Sequence, residues 1–580
     1  MLLLAAAQLF YAACNVSDPT QNGFSLTPPS VTFASQCVTF GGDLNAPLKL
    51  MPCASPPDAS QSFTFANNAF SNPNIQWSGQ EYSACSSTPP SLGVGCIIGA
   101  WQTALPTTWN NAFVPNSPAV GMIQALYTSG GGGHSPSDLC VSAVMPAPPA
   151  PPPIPSADVL NWSRREIMCL YDIDMCTYDE AQLQGCNCAA PPPPVNTWAP
   201  TALDTDSWIE AGMAAGCEVH ILVAKHLCGF VSWPSRAGDE LGYNYSTAHS
   251  VGSGAVDVVG HFVASARSAQ QRIGMYYSLT NNARTNTCAG QVLPNPATPN
   301  QINVSPAQYD DIVKAHVTEL WSNYGVLDEI WFDGGFSATQ REWLPPLIAA
   351  LQPHAVYFNG GGLGPNPTRW IGSESGYAPN DTWSTCDLSV ASGAGNPDSP
   401  TWFPAETDFT VLQHDTWCFD TLHPVRPPSQ LRDMYEQSVG HNSQALIGVG
   451  IPPNATLKGT AQADAMAQLG AYVRACYGSP IASTSGTALV LTVMPSNPVA
   501  IDRIIVSEDQ TTGQRIREWS LTARLSDGSQ VALATGQSIG NKRIVVIPPT
   551  TVSMVVFNAS VAIGVPVIRD FSIYSCDGLI

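Results

Sequence analysis

Asp333 closes the run EIWFDGG, residues 329 to 335: apolar and aromatic side chains, one carboxylate, two glycines. Such a run reads as a buried strand that holds the acid rigidly, while the glycines leave room for another molecule to approach it. Asp also favours helix N-caps, but a helix starts poorly on two glycines. Other polar residues close apolar runs in the same way. Asp172 and Asp174 follow EIMCLY, Lys225 and His226 follow EVHILVA, and Tyr276 and Tyr277 end IGMYY. Asn359 follows AVYF, Glu374 follows RWIGS, and Glu406 and Asp408 end WFPAETD. Carboxylates, a histidine and aromatics are the residue types glycoside hydrolysis uses. One carboxylate attacks the anomeric carbon; a second protonates the leaving oxygen and then activates water. Aromatic faces pack on the apolar faces of a sugar ring. Taken singly, each residue has a structural reading as well: His226 as a satisfied buried histidine, Trp233, Trp370 and Trp417 as core, Cys228 as half of a disulfide.

What must position these residues is a set of alternating elements over residues 158–478. Eight strand-like runs, EIMCLYDID, EVHILVAKH, IGMYYSL, EIWFDGG, AVYFNG, RWIGSES, WFPAETD and ALIGVGIPP, are separated mostly by segments of helical periodicity. SPAQYDDIVKAHVTELWSNYG opens on a Ser cap and ends on Gly. That order predicts a (β/α)8-like barrel, whose active site lies at the C-terminal ends of the strands. Helices are least distinct between the fifth and seventh strands.

Around the barrel the composition changes. Residues 25–145 are rich in Gly, Pro, Asn, Ser and aromatics and predict an all-β domain. Its weak internal repeat, with Cys37, Cys85 and Cys140 at similar intervals, resembles a ricin-B-type β-trefoil, a sugar-binding family. MPAPPAPPPIP marks a proline-rich linker over 146–157. Residues 479–580 read as short alternating strands and predict an antiparallel β-sandwich of galactose-binding-like type. The first 18 residues read as a leader peptide without the usual basic start.

The 580-residue chain carries 22 basic and 43 acidic residues, net charge −21. That balance argues against nucleic acid and anionic membranes as partners. Seventeen cysteines, an odd number, and seven Asn-X-Ser/Thr sequons fit a disulfide-forming secretory route, ending outside the cell or in a vacuole or lysosome. No HExxH, EF-hand, P-loop or nucleotide-binding glycine motif occurs, so no metal or cofactor is expected, and no run beyond the start is long enough for a membrane helix.

The ordered set ILVAKH, GMYYSL, YGVLDEIWFDGG, LQPHAVYFNG, RWIGSESG, WFPAETD and SVGHNSQALIGVGIPPN resembles the retaining α-L-fucosidases of glycoside hydrolase family 29. The resemblance spans the barrel segment, and residues 496–521 resemble the β-sandwich of plant and bacterial members. It implies Asp333 as nucleophile. By analogy with the branch acting on α-1,3/4-linked fucose, it implies Glu374 as acid/base. It also implies substrate contacts from Asp172, His226, Trp233, Tyr277, Trp370, Glu406 and Trp417, and fucosylated glycans or glycoproteins as partners. Two departures stand out. Where the family reads KHHDGF, this chain has Leu227 and Cys228, and Asp172 stands where a histidine usually ends the first strand. Those losses leave open a sugar-binding protein without turnover, or a glycosidase for another L-sugar such as α-L-galactose.

Overall fold

The structure, a computed structural model, describes residues 151–580 apart from 180–185, 189, 251–254, 295–297, 299, 391 and 580. Within residues 1–150 it describes only the backbone of ten strands, which pair antiparallel in one sheet. The trefoil-like reading with Cys37, Cys85 and Cys140 depends on side chains outside the described residues. So does the leader reading. The chain forms two compact units, Leu2–Ala150 and Pro151–Ile580.

In the second unit eight parallel strands close into a barrel. They are β1 Ile167–Asp172, β2 Val219–Lys225, β3 Arg272–Tyr277, β4 Glu329–Trp331, β5 Val356–Phe358, β6 Pro367–Trp370, β7 Ala405–Thr410 and β8 Ser443–Gly450. Each coincides with one of the eight expected runs. Helices α1 Ala157–Ser163, α2 Thr205–Ala215, α3 Arg236–Glu240, α4 Val258–Ser268, α5 Pro306–Asn323, α6 Ala338–Leu351, α7 Pro428–Ser438 and α8 Ala461–Tyr477 surround them. The Ser cap expected at α5 is a full capping box between Ser305 and Gln308, with Pro306 at the first helical position. Among the described residues no helix separates β5, β6 and β7.

Strand parity divides the side chains into two cores. Leu170, Ile221, Tyr276, Trp331, Phe358 and Leu446 point inward and fill the barrel. Their neighbours Tyr171, Leu222, Tyr277, Phe332 and Ile447 point outward and pack with the helix layer. Strand polarity then carries Asp172, Lys225, Asp333 and Asp408 to the C-terminal mouth.

Seven antiparallel strands between Ala482 and Tyr574 make the C-terminal sheet. It has its own core, including Ile504, Trp519, Leu521, Phe557 and Phe571. The Cys476–Cys576 disulfide and an ion pair of Arg503 with buried Glu436, at 2.9 Å, join it to α7 and α8. No helix among the described residues is long and apolar enough to cross a membrane.

Candidate active site

Asp333 sits two residues beyond β4, above an aromatic stack. Tyr276 and Trp331 lie side by side on paired strands, their rings 5.1 Å apart, and Trp331 stacks on Phe358 at 3.8 Å. The Tyr276 hydroxyl donates to Asp333 Oδ2 at 2.6 Å. Gly334 and Gly335 take φ of +68° and +70°, which a side chain at either position would strain. The glycines therefore make the turn, and the aromatic run makes a rigid base for the carboxylate.

Glu374 stands on the loop after β6, half-buried, and accepts from the Trp417 indole at 2.9 Å. Burial raises its pKa; the indole bond opposes that, and Asp415 and Asp333 add to it. A carboxyl held up in this way keeps its proton more readily and suits an acid. Trp417 packs close to β8 where residue 448 is glycine: a Cβ there would come within 2.5 Å of the indole ring.

Two further acids lie on β7. Asp408 is buried, accepts from the Trp370 indole at 2.8 Å, and has its pKa pushed up to about 8, chiefly by burial. Glu406 is wholly buried deeper in the barrel and accepts from the Trp331 indole at 2.7 Å. Its other oxygen is buried without a hydrogen-bond partner among the described residues, and buried Glu329, which accepts from the Trp162 indole at 2.9 Å, raises its pKa further. Burial holds both acids above the usual carboxylate range, and their titrations are linked.

The ends of β1 and β2 bring four titratable groups together. Lys225 is buried and donates to the carbonyls of Ser278 and Asn281, tying down the loop after β3. Burial lowers its pKa to about 7, against the pull of Asp174 and Asp333. Asp172 accepts from the Asp174 backbone N–H at 3.0 Å, and burial raises its pKa while His226 opposes. Asp174 is raised to about 7, by burial and then by Asp172. The half-buried His226 ring lies 5.6 Å from the Tyr276 ring and acts electrostatically on Glu374.

The molecule thus gathers Asp333, Glu374, Asp172, His226, Trp370 and Trp417 at one mouth. Glu406 lies below them, sealed from solvent. Two expected contacts lie elsewhere. Trp233 is buried in the outer layer with its indole donating to Glu319 of α5 at 3.1 Å. Tyr277 points outward and meets His316 Nδ1 of α5 at 2.8 Å. Its neighbour Tyr276 takes the inward place beside Asp333. Two adjacent tyrosines offer no polar–apolar contrast, so the signal that could have separated them was the parity shared with Trp331 and Asp333.

A disulfide accounts for Cys228 in the altered motif at 226–229. Cys228 pairs with Cys186, Cys188 with Cys288, and Cys176 with Cys418. The loop after β1 is therefore fastened to the loops after β2, β3 and β7. Two groups of residues approach metal-ligand spacing, Asp172–Cys176–Cys418 and Asp174–Cys176–His226. Both rely on Cys176, whose sulfur is already bound to Cys418, so neither supplies three metal ligands.

A family model described as alpha-L-fucosidase matches residues 171–478, more than half of the chain. Alpha-L-fucosidase 1 of Arabidopsis thaliana and a putative alpha-L-fucosidase 1 of Oryza sativa subsp. japonica are each 30% identical over 332 residues, 54% of this chain. The chain spans 59% and 58% of their own lengths. A putative alpha-L-fucosidase from Bacteroides thetaiotaomicron superposes with a TM-score of 0.65 at 26% identity, covering 73% of this chain and 99% of that one. A Ruminococcus gnavus GH29 fucosidase solved with fucose shares the fold, with a TM-score of 0.61 at 20% identity over 74% of this chain and 97% of that one. With eight strands, a carboxylate-lined mouth and a family match running from β1 through α8, the chain belongs to the alpha-L-fucosidase family.

Proposed function

We propose that this protein is a retaining exo-α-L-fucosidase acting on terminal fucose of oligosaccharides or glycoconjugates. The observation that carries the reading is the pairing at the mouth: Asp333 steadied by the Tyr276 hydroxyl, Glu374 by the Trp417 indole. In the first step Asp333 Oδ1, the oxygen Tyr276 leaves free, attacks the anomeric carbon. The glycosidic C–O bond breaks, and Glu374 passes its proton to the leaving oxygen. In the second step Glu374, now a carboxylate, takes a proton from water. The water oxygen attacks the same carbon, the ester bond to Asp333 breaks, and α-L-fucose leaves with its configuration retained.

The choice of Glu374 over Glu406 rests on access. Glu406 is wholly buried and committed to Trp331 and Glu329, whereas Glu374 is half-buried at the mouth with a raised pKa. The resemblance of the 372–376 segment to the α-1,3/4-acting branch favours those linkages. The disulfides favour an oxidising compartment on the secretory route.

The test is release of L-fucose from α-1,2-, α-1,3-, α-1,4- and α-1,6-fucosylated oligosaccharides, with Asp333→Asn in parallel. Release by the parent protein alone is expected, strongest from α-1,3 and α-1,4 linkages. Equal release by D333N would overturn the mechanism. Glycan binding without release would move the protein to the lectin-like reading.

A further inference from the structure

We propose that Asp174 is a positioning residue acting through His226: its carboxylate accepts a hydrogen bond from the Nδ1–H of His226, directly or through one water, and holds the ring with Nε2 toward the sugar. Asp174 is 4% exposed, and neither of its carboxylate oxygens has a hydrogen-bond partner among the described residues. His226 Nδ1 is likewise buried and without a partner. An Asp174 oxygen, a His226 ring nitrogen and Cys176 Sγ all lie within 4.8 Å of one another. Leaving a buried carboxylate and a buried imidazole nitrogen both unpaired is costly, and pairing the two removes both costs. A single water spans such a gap when the atoms do not touch.

Backbone geometry points the same way. Asp174 occupies the N-cap position of the short turn Met175–Thr177, where an Asp side chain ordinarily bonds the following backbone. Its side chain makes no full cap; the Met175 N–H only approaches it and lowers its pKa slightly against the push of burial. The disulfide from Cys176 to Cys418 pins the turn that Asp174 opens, so the carboxylate is held in its place behind the histidine. Asp172 also acts electrostatically with His226, but one of its oxygens already accepts the Asp174 backbone N–H, whereas both Asp174 oxygens are left without a partner among the described residues.

The consequence reaches the reacting groups. The His226 ring packs against Tyr276, and Tyr276 holds Asp333. His226 also acts electrostatically on Glu374. A ring fixed through Nδ1 would support both carboxylates and present one defined nitrogen to a sugar hydroxyl. In this chain Leu227 and Cys228 follow His226, and neither can steady it by hydrogen bonding: Leu227 is apolar, and the Cys228 sulfur is bound to Cys186. Asp174 supplies that support from the end of the neighbouring parallel strand β1.

The contact with sugar rests on the fucosidase reading; the link between Asp174 and His226 does not, and the experiment keeps them apart. Full-length protein labelled with ¹⁵N-histidine is compared with Asp174→Asn, Asp174→Ala and Asp174→Glu, the His226 signal being assigned by its loss in His226→Gln. The parent protein is expected to carry its proton at Nδ1. Asn and Ala should mix the tautomers, and Glu should restore the parent signal. In parallel, kcat/KM for an aryl α-L-fucoside should fall by about 10- to 100-fold in D174A, as for loss of one buried charge-assisted hydrogen bond. The same change in an H226Q background should cost less than about 2-fold. D174N keeps the side-chain volume, so the comparison survives if the alanine variant folds poorly. An unchanged His226 signal in D174N, or equal losses in both backgrounds, would overturn the proposal. If the parent protein releases no fucose, the fucosidase reading fails, and the tautomer signal still decides the role of Asp174.

Discussion

Trp417 donates its indole N–H to Glu374 at 2.9 Å, and the same ring lies against the backbone of Gly448. One side chain therefore links the packing of the last barrel strand to the protonation of the proposed acid. The indole bond stabilises the ionised form of Glu374 and opposes the upward push of burial.

Replacing Trp417 by Phe removes that donor, so the Glu374 pKa should rise further. The first step needs Glu374 protonated, so activity is lost as pH rises through that pKa. The alkaline limb of the kcat/KM profile in W417F should therefore move to higher pH than in the parent protein. A limb that stays put, or moves down, would separate Glu374 from that titration.

Glu374→Gln cannot protonate a leaving oxygen. Hydrolysis of fucosylated oligosaccharides should slow by about 100- to 10,000-fold, while an aryl fucoside with a strongly acidic phenol should keep much of its first-step rate. Glu406→Gln should show no such dependence on the leaving group. Rates across a series of aryl fucosides measure the difference.

Gly448→Ala puts a methyl group where the Trp417 ring lies, within 2.5 Å. Overpacking of this kind costs about 1–3 kcal/mol. Activity should fall with it, because the displaced indole leaves Glu374. Pairing G448A with W417F in a double-mutant cycle should show strong non-additivity in kcat/KM.

Burial pushes the Asp408 pKa up to about 8 in the folded protein, against 3.8 for a free side chain. Between those values the folded state binds the proton more tightly than the unfolded one. Its contribution is full at low pH and is lost as pH rises toward about 8. Asp408→Asn keeps an acceptor for the Trp370 indole without the titration. Melting temperatures at pH 5 and pH 8 should differ less in D408N than in the parent protein.

The Cys186–Cys228 bridge spans 42 residues and anchors the loop bearing His226. Replacing both cysteines by serine should lower stability by about 2–4 kcal/mol in denaturant unfolding. Fucose affinity should weaken as well, because the tether beside His226 is gone.

Much of this protein could be read locally. Most barrel strands are runs of apolar, β-branched or aromatic residues, and all the expected runs but the last end in a polar side chain, so the eight strands and the mouth residues Asp333, Glu374 and Asp408 were legible from composition and order. The helix cap at Ser305 was legible for the same reason, since capping depends on neighbours three residues apart. What sequence could not decide was which of two adjacent candidates faces the lumen, and what lies across from it. Closure of the barrel sets strand parity, and parity put Tyr276 beside Asp333 and sent Tyr277 outward to His316. It also sank Glu406 against Glu329, a residue 77 positions away in the chain. Cysteine partners separated by 42 to 242 residues leave no local trace, so Cys228 became interpretable only once Cys186 stood opposite it. Local spacing determines elements and their ends; the contacts that give those ends chemical roles are long-range, and only the closed barrel brings them within reach.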